Sequence, residues 1–278
     1  MIVLKSTTEL DAMHRANRVV HMALDAVRHA AAPGVSTAEL DTIAEELIRG
    51  EGGAPAFKGY RGFPATLCTS VNDEIVHGIP SRKVHLEDGD ILSVDCGVVL
   101  DGFFGDAAIS IGIGNVNGVG RKLMTVTKEC LDAAVEQVGP GKRLGDIGEA
   151  VQSRAEGAGF GVVREFVGHG IGRSLHEEPQ VPNYGQAGRG QVMKPGLVVA
   201  IEPMITAGSW RVKIDDDGWT ARTEDGKLSA HFEFSVAVTS DGHRVLVVAV
   251  LLFGKGISDR SGRIGGRTTD VRDVPLRV

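Results

Sequence analysis

Segment 91–109 places two acidic residues inside two apolar strands, and this constrains the fold more than any other part of the chain. The apolar runs on either side of Asp101-Gly102 predict a β-hairpin, because this dipeptide suits the two-residue turns that join antiparallel strands. In that register Gly97 lies opposite Asp106, and Asp95 is a diagonal neighbour of Asp106 on the same face, with Cα atoms roughly 7–8 Å apart. Two converging carboxylates repel each other unless a cation lies between them. The hairpin therefore predicts either a metal site or a salt-bridged or solvated pair on an exposed face.

The composition excludes several classes of protein. The chain has 278 residues, enough to bury a core as one large domain or two small ones. Its net charge of −6 argues against nucleic acid or an acidic membrane surface as the main partner. The three cysteines lack CxxC spacing and are expected to be reduced thiols in a cytoplasmic protein. The longest apolar run, 245–253, is far shorter than a membrane span, so we expect no membrane partner.

The order of predicted elements repeats once along the chain. Capping boxes at Ser6 and Ser36 predict two helices, which are followed by strands up to residue 111. Two more helices are predicted at 121–138 and 144–156. Strands then follow at 162–167, 197–201, 231–239 and 244–253. This order predicts a pseudo-duplicated α+β domain with its helices packed on one sheet.

We expect residues 1–254 to form one compact unit. The composition changes after Gly254, where glycine, serine and arginine are frequent and apolar periodicity is lost. Residues 255–278 are therefore predicted to be a flexible basic C-terminal tail. A nucleic-acid contact is the alternative to a solvated appendage, and no specific nucleic-acid partner is expected.

Four further residues with metal-binding or proton-transfer chemistry lie on predicted strands or at their ends. His169 and His176 belong to a glycine-rich segment, Glu202 ends an apolar run, and Glu233 alternates with apolar residues. Taken singly, each histidine is typical of a surface or structural position, and Glu233 of an exposed strand face. Together, four carboxylates and one or two imidazoles fit a pair of divalent ions. Such a pair is typical of hydrolases.

These motifs, in this order, resemble the type I methionine aminopeptidases of the pita-bread metallopeptidase fold over about residues 1–245. The resemblance is carried by Ser70–Pro80, the acid-bearing hairpin, 168–172 with 176–179, 201–204, and Glu233. It implies a pseudo-twofold α+β fold in which an antiparallel sheet is covered by two helix pairs. It also implies removal of the initiator methionine from nascent proteins when the second residue is small.

The resemblance further implies a two-metal site. Its ligands would be Asp95, Asp106, His169, Glu202 and Glu233. Asp106 and Glu233 would bridge the two ions. Asp95 would bind one ion, and His169 and Glu202 the other. Cobalt, manganese, iron and zinc all suit these ligands, so the resemblance leaves the metal open.

Residues outside the metal site are also implied by the resemblance. Glu202 would be the general base as well as a ligand, and His77 and His176 would hydrogen-bond the substrate and the tetrahedral intermediate. The pocket for the methionine side chain would be lined by Phe57, Tyr60, Phe63, Cys68, Leu175 and Trp219. One or two of these lining residues are alternatively plain core residues. A monovalent cation is implied near Asn72 and Ser229.

The chain departs from the family at a few positions. Phe234 stands where many relatives carry His, Phe57 where Cys is frequent, and Leu175 where Phe is frequent. We expect strand alternation to turn Phe234 away from the metals. The two alternatives are an Xaa-Pro aminopeptidase of the same fold and a catalytically dead binding module. The implied partner is the N-terminus of nascent polypeptides at the ribosome, and we expect a monomer.

Overall fold

The computed structural model describes residues 2–246. Its helices are α1 (Thr7–Ala30), α2 (Thr37–Gly50), α3 (Gly118–Val135) and α4 (Leu144–Gly157), with a short 3₁₀ turn at Tyr60–Gly62. The strands of the first half are β1 (Ala54–Pro55), β2 (Leu67–Val71), β3 (Glu74–Val76), β4 (Ile91–Leu100) and β5 (Phe103–Gly112). The strands of the second half are β6 (Gly161–Val162), β7 (Gly168–Gly170), β8 (Glu177–Val181), β9 (Val198–Ile201), β10 (Met204–Thr206), β11 (Val212–Ile214), β12 (Ala221–Thr223), β13 (Ser229–His231), β14 (Glu233–Val238) and β15 (His243–Val245). The predicted tail at 255–278, and the predicted strand beyond residue 246, lie outside this range.

The helix starts follow the capping chemistry of the sequence. Both predicted capping boxes are present: the hydroxyl of Ser6 accepts from the Glu9 amide while the Glu9 carboxylate accepts from the Ser6 amide, and Ser36 repeats this with Glu39. The third helix begins at Gly118, earlier than predicted, because the side chain of Asn117 accepts from the Gly120 amide at 2.9 Å.

Strands from both halves of the chain join one antiparallel sheet. Its order is β1-β4-β5-β14-β9-β7-β8, with β2 also paired to β4 and β15 to β14. Two small three-stranded sheets, β13-β10-β6 and β11-β12-β3, lie beside it. Helices α1 and α2 pack together, as do α3 and α4, so the predicted α+β arrangement with two helix pairs is confirmed.

The central hairpin has the predicted register. Leu100 pairs with Phe103 and Gly97 with Asp106, and Asp95 faces Ala108. Asp101 and Gly102 have φ angles of 51° and 75°, as the two central positions of a type I′ turn require. The strand that bears Asp106 also touches α1 at Gly105, where a Cβ atom would lie 2.6 Å from the backbone nitrogen of Asn17.

The predicted strand at 231–239 is interrupted. Its first part, β13, pairs with β10 in a small sheet, whereas β14 pairs with β9 in the main sheet. The break falls at Phe232, opposite Glu202-Pro203, since Pro203 has no amide hydrogen to continue the ladder. The pairing between β14 and β9 thus ends next to Glu202 and Glu233, while Glu233 itself still pairs with Ala108 of β5.

The apolar core has two main parts. The larger one fills the space between the helices and the main sheet and includes Leu24, Leu92 and Leu123. The smaller one, with Met13, Phe57 and Phe63, surrounds the cavity described below. Cys68, Cys96 and Cys130 are free and buried, as predicted for reduced thiols. Among the described helices, none has both the length and the apolar character needed to cross a membrane.

We expect the substitution Gly105→Ala to destabilise the fold by about 1–3 kcal/mol, because the added methyl group would push α1 away from β5. Urea-induced unfolding of the metal-free protein measures this difference. Gly118→Ala is the matched control, since a Cβ there has no neighbour within 4 Å. Equal unfolding midpoints for the two variants would show that α1 does not rest closely on this strand.

Candidate functional site

Five consecutive strands of the main sheet each bring one predicted ligand to the same place. In the order β4-β5-β14-β9-β7, these residues are Asp95, Asp106, Glu233, Glu202 and His169, with Glu202 directly after the end of β9. Sheet neighbours therefore gather residues that are far apart along the chain. We call this set the acidic cluster.

The distances within the acidic cluster suit a shared cation. Asp106, His169 and Glu233 each offer a ligand atom within 4.8 Å of the others. The Nε2 atom of His169 lies 3.6 Å from Oε1 of Glu202 and 3.8 Å from Oδ2 of Asp106. Asp106 and Glu233 are 3% and 2% exposed, so the alternatives of an exposed hairpin face and an exposed strand face are wrong.

Several carboxylate oxygens of the acidic cluster are buried and unsatisfied. Oδ1 of Asp95, Oδ1 of Asp106 and Oε1 of Glu233 have no hydrogen-bond partner within residues 2–246. A buried carboxylate is normally paired, hydrogen-bonded or bound to metal. The donor set of four carboxylates and one imidazole fits divalent transition metals, and the imidazole argues against calcium.

Burial and mutual repulsion act on the acids in the absence of a cation. Burial raises the pKa of Asp95 to about 7. The pKa values of Asp106, Glu202 and Glu233 are raised well above their ordinary range, first by burial and then by the neighbouring carboxylates. Burial lowers the pKa of His169 to about 4, so its imidazole is neutral at physiological pH.

The tautomer of His169 is fixed by a backbone contact. Its Nδ1 lies 2.9 Å from the carbonyl oxygen of Gly170, which can only accept, so Nδ1 carries the proton. The lone pair of Nε2 therefore faces Asp106 and Glu202. This is the orientation that a metal-binding histidine needs.

Three polar side chains that sequence reasoning missed hold the backbone of the acidic cluster. Asn17 accepts from the Asp106 amide at 3.3 Å, and Ser235 donates to the Asp106 carbonyl at 2.9 Å. Asn183 donates to the Glu202 carbonyl at 2.9 Å. In the sequence, the only residue that could have pointed to these contacts is Asn17, because it is a polar residue within the apolar face of the first helix.

A cavity of about 170 Å³ opens beside the acidic cluster. All six residues predicted for the methionine pocket line it: Phe57, Tyr60, Phe63, Cys68, Leu175 and Trp219. His77 and His176 line it as well, and so does Arg61, which sequence reasoning missed. Its walls are thus apolar on one side and polar at the acidic cluster, as in many substrate sites.

The room for the Phe57 ring comes from the hairpin. A Cβ atom at Gly97 would lie 2.5 Å from Cε1 of Phe57, so the absence of a side chain there accommodates the ring. Burial raises the pKa of the Cys68 thiol well above its ordinary value, so it forms a neutral part of the wall.

The two histidines outside the acidic cluster are held by aromatic neighbours. Nδ1 of His176 lies 2.9 Å from the hydroxyl of Tyr60, and its ring centroid is 4.3 Å from that of His169. His77 packs edge-on against Phe166 and Trp219. Its φ of 62° is unusual for a residue with a side chain and is typical of a position under functional constraint.

Asn72 and Ser229, the residues predicted near a monovalent cation, are neighbours. The Ser229 amide donates to the Asn72 carbonyl at 2.7 Å. Phe234 is buried in the core, in agreement with the expectation that it points away from the acidic cluster.

Comparisons with known proteins agree on one family. Residues 11–240 match metallopeptidase family M24. The methionine aminopeptidase of Clostridium acetobutylicum is 47% identical over 248 residues, which cover 89% of this chain and 99% of the relative. The crystal structure of methionine aminopeptidase from Thermotoga maritima has a TM-score of 0.87 at 43% identity, covering 88% of this chain and 99% of that one. The prolidase of Pyrococcus furiosus, at 22% identity and a TM-score of 0.70, shares the fold over 88% of this chain and 65% of its own.

We expect Mn²⁺ or Co²⁺ to raise the melting temperature of the chelator-treated protein, because an ion that binds only the folded state stabilises it by about 2.7 kcal/mol at a hundredfold excess over Kd. Asp106→Asn should abolish this rise. It should also raise the melting temperature of the metal-free protein, since one repelling charge leaves the acidic cluster. Scanning calorimetry measures both effects.

Asp101→Asn serves as the control for this experiment, because Asp101 lies in the exposed hairpin turn and pairs only with Arg15 among the described residues. It should keep the full metal-dependent rise. A metal response that is equal in wild type and Asp106→Asn would contradict the assignment of the cluster.

Proposed function

The chain belongs to metallopeptidase family M24, and we propose that it is a methionine aminopeptidase that removes the N-terminal methionine from nascent proteins when the second residue is small. The observation that carries this proposal is the juxtaposition of a buried acidic cluster with a narrow apolar cavity. The pita-bread fold and the identity to methionine aminopeptidases over most of the chain support it.

M24 enzymes are metallopeptidases, and the acidic cluster is suited to divalent metal. We propose that Asp95, Asp106, His169, Glu202 and Glu233 would together hold two such ions. Four carboxylates balance the charge of two divalent cations, which supports this number. When bound, the ions would polarise the scissile carbonyl and make a water molecule more acidic.

Glu202 is the proposed general base. Its carboxylate lies within the acidic cluster, 3.6 Å from Nε2 of His169, and its backbone is held by Asn183. A base must reach the proton that it abstracts, and this position lets Glu202 accept a proton from the attacking water and later pass it to the leaving amine.

His77 and His176 are the proposed hydrogen-bond donors to the substrate. Both line the cavity without belonging to the acidic cluster. Burial lowers the pKa of His77 to about 4, so this imidazole is neutral and donates from one nitrogen only. A donor aimed at the carbonyl oxygen stabilises the negative charge that grows there in the transition state.

The apolar wall is the proposed site of the methionine side chain. Phe57, Phe63 and Leu175 are at most 8% exposed, and Trp219 packs edge-on against Phe63. Cys68 adds a soft, polarisable surface that suits a thioether. These apolar walls favour an apolar side chain over a charged one, because a charge would lose its hydration there.

The remaining parts of the proposal rest on the resemblance. We propose that the enzyme is a cytoplasmic monomer that meets its substrates as they leave the ribosome. A monovalent cation near Asn72 and Ser229 is also proposed, supported by the direct contact between these residues.

Two other functions agree less well with the chain. An Xaa-Pro aminopeptidase would share the fold, yet the identity to a prolidase is 22%, against 47% to a methionine aminopeptidase. A catalytically dead module would lack metal ligands, whereas all five proposed ligands are present and line one cavity.

We expect the metal-loaded protein to release methionine from Met-Ala-Ser and to leave Ala-Pro-Ala intact, because the cavity accepts a long apolar first side chain. Chelation should abolish turnover, and single-metal re-addition should restore it. Chromatographic product analysis measures both. Preferential cleavage of Ala-Pro-Ala would favour an Xaa-Pro peptidase, and metal binding without any cleavage would favour a dead module.

Glu202→Gln should lower kcat on Met-Ala-Ser by about 10²–10⁴-fold, the contribution typical of a general base. Steady-state kinetics at saturating metal measures the change. Glu51→Gln, at an exposed position after α2, is the matched control and should behave as wild type. If Glu202→Gln retained full activity, the proton would have to be taken by another group.

A further inference from the structure

A buried ion pair joins the N-terminal segment to the loop that carries His176. Nζ of Lys5 lies 2.5 Å from Oε2 of Glu177, and their side chains are 3% and 14% exposed. Among the Lys and Arg ion pairs within residues 2–246, this is the most buried. Removing one partner of such a pair would leave an uncompensated charge at a site largely shielded from water.

The carboxylate of Glu177 also organises the loop before it. Its Oε1 accepts from the backbone amides of Arg173 and Ser174, at 2.8 and 3.2 Å. Residues 172–176 form neither helix nor strand, so these contacts replace the regular hydrogen bonds that would otherwise fix the backbone. Glu177 thus holds the loop with one oxygen and Lys5 with the other.

Lys5 is itself fixed at its backbone. Its amide donates to the carbonyl of Gly196 at 2.7 Å, just before the strand that leads to Glu202. Gly196 has a φ of +89°, and a Cβ there would lie 2.7 Å from the Lys5 carbonyl oxygen. A Cβ at Gly172 would overlap the end of the Lys5 side chain. Two glycines therefore make room for Lys5.

We propose that Lys5 is a positioning residue for His176, acting through Glu177 and the loop at 173–176. The imidazole of His176 then has two supports. The hydroxyl of Tyr60 contacts its ring, and the Glu177 carboxylate holds the preceding loop by accepting from the amides of Arg173 and Ser174. This inference rests on the proposed function, because the role of His176 at the substrate comes from there.

Lys5→Met tests the inference, since methionine has a similar unbranched shape without the charge. We expect kcat on Met-Ala-Ser to fall roughly ten- to a hundredfold, as small misplacements of a catalytic group do, with little change in KM. Amide hydrogen exchange should accelerate in the segment 171–177. Metal affinity, measured by calorimetry, should stay as in wild type, because all proposed ligands lie outside the loop.

The same substitution in a His176→Ala background separates positioning from general weakening of the structure. If Lys5 acts through His176, Lys5→Met causes no further fall in kcat there. A similar fall in both backgrounds would overturn the inference. The inference would also be overturned if Lys5→Met alone left both kcat and the amide hydrogen exchange of segment 171–177 unchanged. Arg154→Met, which breaks the exposed pair with Glu129, is the matched control and should leave kcat and exchange unchanged.

A second variant, which removes both charges of the pair, keeps the test valid if Lys5→Met alone fails to fold. Lys5→Met combined with Glu177→Gln leaves no unpaired buried charge and keeps an acceptor for the two loop amides, so it should fold and recover part of the lost kcat. If the double variant folded but showed no recovery of kcat, the inference would be contradicted. If wild type itself did not cleave Met-Ala-Ser, the proposed function would fail, and the exchange measurement would still decide whether Lys5 fixes the loop.

Discussion

The repulsion among four buried carboxylates is the constraint on which the rest of the structure depends. Asp95, Asp106, Glu202 and Glu233 share a space from which water is largely excluded, and burial already disfavours each charge. Such a set is stable only with protons or cations. A fold that holds these acids together therefore favours the binding of protons or metal cations. The proposed catalytic site depends on the same preference.

The sheet meets this constraint through strand order rather than through any one long segment. Each of five neighbouring strands supplies a single proposed ligand. The interruption of pairing at Glu202-Pro203 and Phe232 falls next to two of these residues, Glu202 and Glu233. Hydrogen bonds to the backbone of Asp106 and Glu202 then limit how far the acids can move apart. Rigid placement of ligands in this way favours a defined metal geometry.

Local patterns in the sequence determined what could be predicted from the residues. The hairpin register, both capping boxes and the thiol state follow from short-range chemistry, whereas the pocket residues followed only from the resemblance. The pair of Lys5 with Glu177 escaped prediction, because nothing in the neighbouring sequence marks a partner so far along the chain. Arg61 was missed because no local pattern shows that its side chain turns toward the cavity. The early break at Phe232 was missed because apolar alternation continues through it.

The position of β14 in the middle of the sheet has a consequence for how the protein is made. The β4–β5 hairpin forms from adjacent residues, but its open edge pairs with a strand that is synthesised much later. Because the chain is synthesised from its N-terminus, Asp95 and Asp106 are present before most of the second half, which carries the other three proposed ligands. Long-range closure of this kind slows folding. Completion of the proposed ligand set is consequently a late event in the folding of each molecule.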